Sequence, residues 1–421
     1  MEKQQRGQRR LYKRCRILNW LLLGLLLGCQ SSLTPPTDSS PPLFDRITAE
    51  QSGVHFNNEI KENFQNFFGV FNYVYNGGGV AVGDINQDGL PDLYFTGNDV
   101  PNKLYLNQGN FTFKDITEAA GLVEGEGWDN GVTMADVNQD GWLDIYISRG
   151  GWGDTDEQRR NLLFINNGDL SFSEQGEALG LADVGYSLQA AFFDMDNDND
   201  LDMYLTNRPD RFFLNYRQVL AGKEAQNDLY RDKLYRNDHG IYTEIGLSAG
   251  IVNNYAYGLG LTTTDINQDG YIDIFVANDY LEYDYLYINQ RDGTFQEQIK
   301  RYTNHVPFYS MGVDVVDINN DGLEDIIQLD MLPADYERSK TTMASMNVQL
   351  FQDLIGNGFH HQYMHNMLQL NQGHTFFSEI GQLAGISKTD WSWSCLGSDF
   401  DNDGLPNSID LDDDGDGVSD V

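Results

Sequence analysis

Cysteine is nearly absent from this chain, with three in 421 residues. Cys15 and Cys29 sit near the start, and Cys395 stands alone far from them. Once the first is removed and the second modified, as argued below, no intrachain disulfide can form, so a disulfide framework is excluded as the source of stability. Positive charge is scarce too: Lys and Arg number 27 against 64 Asp and Glu, for a net charge of −37. Such a surface repels phosphate backbones, which excludes nucleic acid as a partner. Proline is sparse at 10, whereas glycine reaches 43 and aromatics 12%. That balance is too hydrophobic for a disordered acidic tail and suits a turn-rich β protein able to bury a core. Catalytic signatures are missing as well: no G-x-S-x-G, Walker, dinucleotide-binding or H-E-x-x-H string occurs.

The N-terminus reads as a targeting segment. Lys3, Arg6, Arg9, Arg10, Lys13, Arg14 and Arg16 form a basic head, and the apolar stretch from Ile17 to Leu27 is too short to span a bilayer comfortably. It ends Leu26-Leu27-Gly28-Cys29, which resembles the lipobox of bacterial lipoproteins and implies that Cys29 is lipidated after removal of residues 1–28. Residues 29–43 are rich in Ser, Thr and Pro, a composition that cannot bury a core and serves as a tether.

From Phe44 onward the chain repeats itself. The anchor is an Asp-x-(Asn/Asp)-x-Asp-Gly-x-x-Asp string. It occurs as Asp84, Asn86, Asp88, Asp92; as Asp136, Asn138, Asp140, Asp144; and as Asp194, Asp196, Asp198, Asp202. It returns as Asp265, Asn267, Asp269, Asp273 and as Asp317, Asn319, Asp321, Asp325, and a sixth copy, Asp399, Asp401, Asp403, Gly404, ends imperfectly at Asn407. The unit is about 50 residues with two insertions, near 209–231 and 330–364, the length of a four-stranded propeller blade. A small and apolar run precedes each loop, as in Gly79-Val80-Ala81-Val82-Gly83, and a β-branched or aromatic run follows, as in Ile145-Tyr146-Ile147. A third run, such as Lys103-Leu104-Tyr105-Leu106-Asn107, and a fourth beginning at Phe111, Phe172, Tyr242, Phe295 or Phe376 complete the unit. The expected fold is an all-β propeller of four-stranded blades, six or seven in number, the last incomplete.

Alternating carboxylates at positions 1, 3 and 5, a turn at 6, a backbone carbonyl at 7 and a carboxylate at 9 supply the six to eight oxygens that Ca²⁺ takes. An EF-hand opens in the same way but requires Glu at position 12 and flanking helices; here position 12 is Phe95, Ile147, Leu205, Val276 or Gln328 between strands, which excludes it. One Asp-rich string alone can also be a solvated turn without an ion. Five complete copies in register leave little room for that, and about one Ca²⁺ per loop is expected.

With these residues in view, the repeats resemble FG-GAP or VCBS repeats, the blades of integrin-α-type propellers. The order of the blocks, including Asp330-Met331-Leu332-Pro333 and Asp390-Trp391-Ser392-Trp393, is similar to bacterial lipoproteins of the FG-GAP/ASPIC and UnbV group. The resemblance covers 44–404 and implies a propeller of about seven blades, calcium in loops of this type and a role in extracellular contacts. After Gly404 the chain departs from that pattern: residues 405–421 resemble a thrombospondin type 3 repeat, with Asp412, Asp414, Asp416 and Asp420 forming another loop of the same spacing. At the other end, Asp45-Arg46-Ile47-Thr48 and Gly53-Val54 resemble Lys114-Asp115-Ile116-Thr117 and Gly121-Leu122, so the N-terminus is expected to lend an outer strand to the blade begun by the sixth loop, in an open or poorly closed ring.

Three further candidates carry less. His360, His361 and His365 would place two imidazoles on one helical face, against a solvated polar insertion as the default. Trp128, Trp142 and Trp152 would form a carbohydrate platform or, more commonly, blade packing. Cys395 has the strand-like setting of an inert buried thiol. Two function classes remain: a calcium-binding lipoprotein of the outer membrane or cell surface that binds a protein or glycan, and a propeller-type carbohydrate-active enzyme, a lyase or glycosidase, with catalytic residues dispersed over the blades. Every recurrent carboxylate already has a metal role, which favours binding.

Overall fold

The computed structural model describes residues 46–398, apart from residues 65, 123, 124, 126, 152–154, 213, 343–346, 374 and 375. The leader, the tether with Cys29, Trp152, the sixth loop at Asp399, Asp401 and Asp403, and the tail ligands Asp412, Asp414, Asp416 and Asp420 lie outside the described residues.

The four-strand unit read from the repeats is present five times. Blade one is Val80–Gly83, Asp92–Phe95, Lys103–Asn107 and Phe113–Asp115; blade two is Asp129–Ala135, Asp144–Arg149, Leu162–Asn166 and Phe172–Glu174. Blade three is Ser187–Phe193, Asp202–Asn207, Lys233–Asp238 and Ile241–Glu244, and blade four is Tyr257–Thr264, Asp273–Asp279, Tyr285–Asn289 and Phe295–Glu297. Blade five is Val313–Val316, Asp325–Gln328, Met367–Asn371 and Phe377–Glu379. Each is an antiparallel meander in chain order. The two insertions carry helices, Tyr216–Ala225 in the first, and Tyr336–Thr341 and Val348–Gly356 in the second.

Packing explains why the second and third strands are buried along most of their length, with apolar residues at their centres. A blade is buried on both faces, so its middle strands cannot alternate apolar with polar. One core lies between blades one and two, with Tyr94 and Leu104 against Ile145, Ile147 and Phe164. Further cores join blades two and three through Tyr146, Leu163, Met203 and Leu205, and blades three and four through Tyr204, Leu234, Val276 and Tyr287. The third-strand leucines, Leu104, Leu163, Leu234, Leu286 and Leu368, are at most 1% exposed. Replacing any of them by Ala should cost about 2–5 kcal/mol.

First strands abut first strands. A Cβ on Gly131 would lie 2.5 Å from the Leu188 carbonyl of blade three, and one on Gly260 would lie 2.9 Å from the Met311 carbonyl ahead of blade five. The segment around Trp393 continues the series: a Cβ on Gly312 would lie 2.6 Å from the Trp393 carbonyl, and the Gly397 N–H donates to Asp314 at 2.7 Å. That segment occupies the place of a further blade's first strand, yet among the described residues no sixth four-stranded sheet forms and the sheets do not close. Blade five therefore keeps an apolar groove of about 310 Å³ lined by Ile318, Leu368, Leu370 and Ile386, and blade one leaves Val80 and Val82 exposed.

The expected N-terminal outer strand is met only in its turn. Among the described residues no strand pairs with 46–48; Ala49–Ser52 is a helical turn that ends on Gly53 at φ 78°. A Cβ on Gly53 would lie 2.6 Å from the Phe113 carbonyl, the contact Gly180 makes with Tyr242 (2.3 Å) and Gly250 with Phe295 (2.2 Å). The segment thus stands against blade one as the closing turns of blades two and three stand against the blades that follow them.

Candidate metal centres

Each Asp loop joins the first strand of a blade to its second, so all five described loops lie at the same end of their blades. Within a loop, Asp at position 1 folds the backbone around itself. In blade two the Asp140 N–H donates to Asp136 Oδ1 at 3.0 Å and the Gly141 N–H to Asp136 Oδ2 at 2.8 Å. The carboxylate at position 5 takes the N–H of position 7, Trp142 to Asp140 at 2.9 Å. The same three bonds recur around Asp84 and Asp88, Asp194 and Asp198, Asp265 and Asp269, and Asp317 and Asp321. Position 6 needs a left-handed backbone, which Gly89, Gly141, Gly270 and Gly322 supply at no steric cost; Asn199 adopts it at φ 71° in blade three.

Position 9 plays a second part. Asp92, Asp144, Asp202, Asp273 and Asp325 are at most 1% exposed, and each accepts two backbone N–H groups. Asp144 Oδ2 takes Val137 at 3.0 Å and Oδ1 takes Asn166 at 2.8 Å, pinning the loop to the end of the third strand. Burial pushes these carboxyls up, to about 7 at Asp144, Asp202 and Asp273 and about 6 at Asp325, and the carboxylates at positions 1 and 5 add to the rise in Asp144, Asp273 and Asp325. A divalent cation would remove that penalty.

In blade three, oxygens of Asp194, Asp196 and Asp202 lie within 4.8 Å of one another. Its loop is also the one described loop with a carboxylate at position 3. Asp196 Oδ1 there, and Asn267 Oδ1 at position 3 of blade four, are buried oxygens with no hydrogen-bond donor. Buried acceptors ordinarily find one, and an oxygen-seeking cation in the loop would supply the missing partner. The donor set and these orphaned oxygens fit Ca²⁺.

Two features escaped the repeat pattern. Position 4 is always an amide, Gln87, Gln139, Asn197, Gln268 or Asn320, held at positive φ between 54° and 62°. Four of these reach the position 6 carbonyl of the next loop: Gln87 to Gly141 at 2.8 Å, Asn197 to Gly270 at 3.0 Å, Gln139 to Asn199 and Gln268 to Gly322. The five loops are thereby chained. In addition, the residue before each third strand, Asn102, Asn161, Asp232, Asp284 or Asn366, accepts an N–H within two residues of the end of the second strand, for example from Asn278 to Asp284 at 2.8 Å.

The histidine trio is not brought together. The helix Val348–Gly356 ends before it, so none of the three histidines stands on a helix and no two share a helical face. His360 is buried with Nε2 3.2 Å from Thr303 Oγ1, and His361 packs on Phe351. Trp128 packs edge-on against Phe71 and Trp142 against Gly168, so they form no shared platform. Burial pushes the Cys395 thiol up to about 12, which leaves it unreactive. At the end of the blades opposite the loops, a cavity of about 350 Å³ is lined by Asn76, Asn130, Gln189, Leu259, Met311 and Trp393 among others.

Comparison with known proteins agrees with this geometry. The FG-GAP-like repeat family matches residues 84–147 and 265–327, each stretch running from one Asp loop through the second strand of the next blade. Cartilage acidic protein 1 of Mus musculus is 29% identical over 208 residues, covering 48% of this chain and 29% of that protein. Integrin alpha-8 of Gallus gallus is 30% identical over 155 residues, covering 33% of this chain and 15% of that protein. The matched stretch thus spans less than a third of the relatives' own length. Among solved structures, an Agrocybe aegerita lectin that recognises non-reducing terminal N-acetylglucosamine aligns at TM-score 0.32 and 16% identity, covering 71% of this chain and 78% of the lectin. The chain carries FG-GAP-like repeats set on four-stranded propeller blades.

Proposed function

We propose that this protein is an exported, calcium-stabilised binding module and not an enzyme, with about one Ca²⁺ in each Asp loop. The observation that carries the calcium reading is the pair of buried, donorless position 3 oxygens, Asp196 Oδ1 and Asn267 Oδ1, inside loops already folded around their carboxylates. Ions bound only by the folded state add RT ln(1 + [L]/Kd) each. Thermal unfolding in excess chelator and in millimolar calcium tests this: the melting temperature should fall on chelation and recover with calcium. An unchanged curve would refute it.

The integrin-like repeats support binding as the role, with a surface protein or glycan as the partner. The end of the blades opposite the Asp loops offers the contact surface, because the chain that crosses blade one there exposes Phe64 at 99%, Phe68 at 52% and Tyr75 at 60%. Aromatic side chains of this kind anchor interfaces. In this reading a lipid on Cys29 holds the module at the outer membrane or cell surface, with residues 29–43 as spacer. Cys29→Ser should release the protein from the membrane fraction, and mass spectrometry of the parent should find Cys29 acylated; an unmodified Cys29 on a membrane-bound parent would contradict the anchor.

A further inference from the structure

The fourth strand of every blade ends on a carboxylate that accepts the N–H two residues on: Asp115 from Thr117, Glu174 from Gly176, Glu244 from Gly246, Glu297 from Ile299 and Glu379 from Gly381. In blades one and three a cationic side chain neutralises it, Lys103 on Asp115 at 2.7 Å and Arg231 on Glu244 at 2.9 Å. Blade five differs. His365, which precedes Asn366, holds the place that Arg231 holds before Asp232, and a second imidazole, His305, sets Nε2 3.7 Å from Glu379 Oε2. One ligand atom from each of His305, His365 and Glu379 lies within 4.8 Å of the other two.

The second insertion creates this juxtaposition. Val306–Pro307 pairs in parallel with Gln362–Tyr363, a bridge made by no other blade, and the two histidines flank it. The backbone is held on both sides: the Val306 N–H donates to the His361 carbonyl at 3.0 Å, and Gln369 Nε2 to the His305 carbonyl at 2.9 Å. The hydrogen-bond pattern suits a ligand. His365 Nδ1 lies 2.7 Å from the Asn366 carbonyl oxygen, which can only accept, so Nδ1 donates and, in the neutral ring, Nε2 is left with the lone pair. A backbone carbonyl fixing one ring nitrogen so that the other faces the ion is the usual support of a metal-bound histidine. Glu379 spends Oε1 on Gly381 and keeps Oε2 toward His305. The His305 side chain is 25% exposed and that of Glu379 12%, so an ion can enter a partly shielded site.

We propose that His305, His365 and Glu379 bind a transition-metal ion of the Zn²⁺ class, at the end of blade five opposite its Asp loop. Two imidazoles and one carboxylate select a borderline metal over Ca²⁺, which prefers an all-oxygen set. Tetrahedral Zn²⁺ at its usual bond lengths needs ligand atoms roughly 3.3 Å apart, so side-chain shifts of about 1 Å close the site. Three protein ligands leave a fourth position open to water or to a group from a partner.

The test uses the whole chain in excess calcium, so that the Asp loops are filled, with Zn²⁺ alone as titrant. One equivalent should bind, and His305→Ala or His365→Ala should each weaken it by about 100-fold or more, while His360→Ala leaves it unchanged. Co²⁺ in place of Zn²⁺ should give the intense visible bands of a four- or five-coordinate ion with nitrogen ligands, a readout on the parent protein that stands even where a variant fails to fold. No Zn²⁺ binding by the parent, the same affinity in the His305 and His365 variants, or a weak octahedral Co²⁺ spectrum would overturn the proposal.

Discussion

Gln87 Nε2 donates to the Gly141 carbonyl at 2.8 Å, so the fourth residue of one Asp loop grips the sixth residue of the next. The bond crosses the boundary between two blades and adds a polar tie at their rim, on top of the apolar core they share. It also accounts for an otherwise costly backbone, since Gln87 sits at φ 59°, a region that long side chains avoid.

Gln139→Ala removes the equivalent tie from blade two to the Asn199 carbonyl of blade three. That carbonyl can turn to water, so the loss should be modest, about 0.5–1.5 kcal/mol in calcium-loaded protein, read from denaturant unfolding. No change would show that the tie is replaced by solvent without cost.

Positions 5 and 9 should part company when mutated. Asp140→Ala should remove about one equivalent of calcium and leave unfolding in chelator close to the parent's, because its acceptor role within the loop is exposed. Asp144→Asn should destabilise even in chelator, by about 1–3 kcal/mol, because one of the two backbone N–H groups of Val137 and Asn166 loses its acceptor in a buried place. Equal behaviour of both variants in chelator would contradict the double role of position 9.

Asp284 lies before the third strand of blade four, where blades one, two and five use Asn. Burial pushes its carboxyl from 3.8 to about 8, with Asp330 adding to the rise. The sign follows. Below roughly pH 4 both folded and unfolded chains hold the proton; from there to about pH 8 only the folded chain does, so stability falls as pH rises and the loss is complete above pH 8. Asp284→Asn keeps the acceptor for Asn278, and Gln328, whose Oε1 is buried without a donor, can turn that oxygen to the introduced amide. The variant should be more stable than the parent at pH 8 by roughly 1–3 kcal/mol, with the gain shrinking to zero near pH 4. A pH-independent difference would show that Asp284 does not titrate in this range.

The closing turns make a paired prediction. Gly250 and Gly385 both have positive φ, 90° and 79°, but a Cβ on Gly250 would lie 2.2 Å from the Phe295 carbonyl, whereas nothing lies within 4 Å of one on Gly385. Gly385→Ala should cost about 1–2 kcal/mol for the left-handed backbone alone, and Gly250→Ala clearly more. Equal costs would mean that blade four does not bear on the turn of blade three.

Much of this was legible in the sequence because a repeat displays its own register. Aspartates at positions 1, 5 and 9, glycine at 6 and the strands on either side recur at fixed offsets, and their roles are local. What stayed hidden depends on a partner in another repeat or across an insertion. The amide at position 4 recurs as faithfully as the aspartates, but its acceptor lies in the following blade, beyond the reach of any local pattern. The cluster of His360, His361 and His365 pointed to two imidazoles on one helical face, yet the helix ends at Gly356 and Gln362–Tyr363 is a strand. His305 and Glu379 are 74 residues apart and meet where Val306–Pro307 pairs with that segment and Gln369 of blade five holds the His305 carbonyl. The expected outer strand at the N-terminus was half right for a related reason: its turn needs only blade one, which is there, while its ladder needs a third strand that the described residues do not contain.

Whether the Asp loops hold calcium is read by isothermal titration of calcium into chelator-stripped protein. About five equivalents are expected from the described loops, with dissociation constants of roughly 10⁻⁴ to 10⁻³ M, and one fewer in Asp140→Ala. No binding up to about 10 mM calcium, tenfold above the weakest of these constants, or the same stoichiometry in parent and variant, would show that the loops are empty.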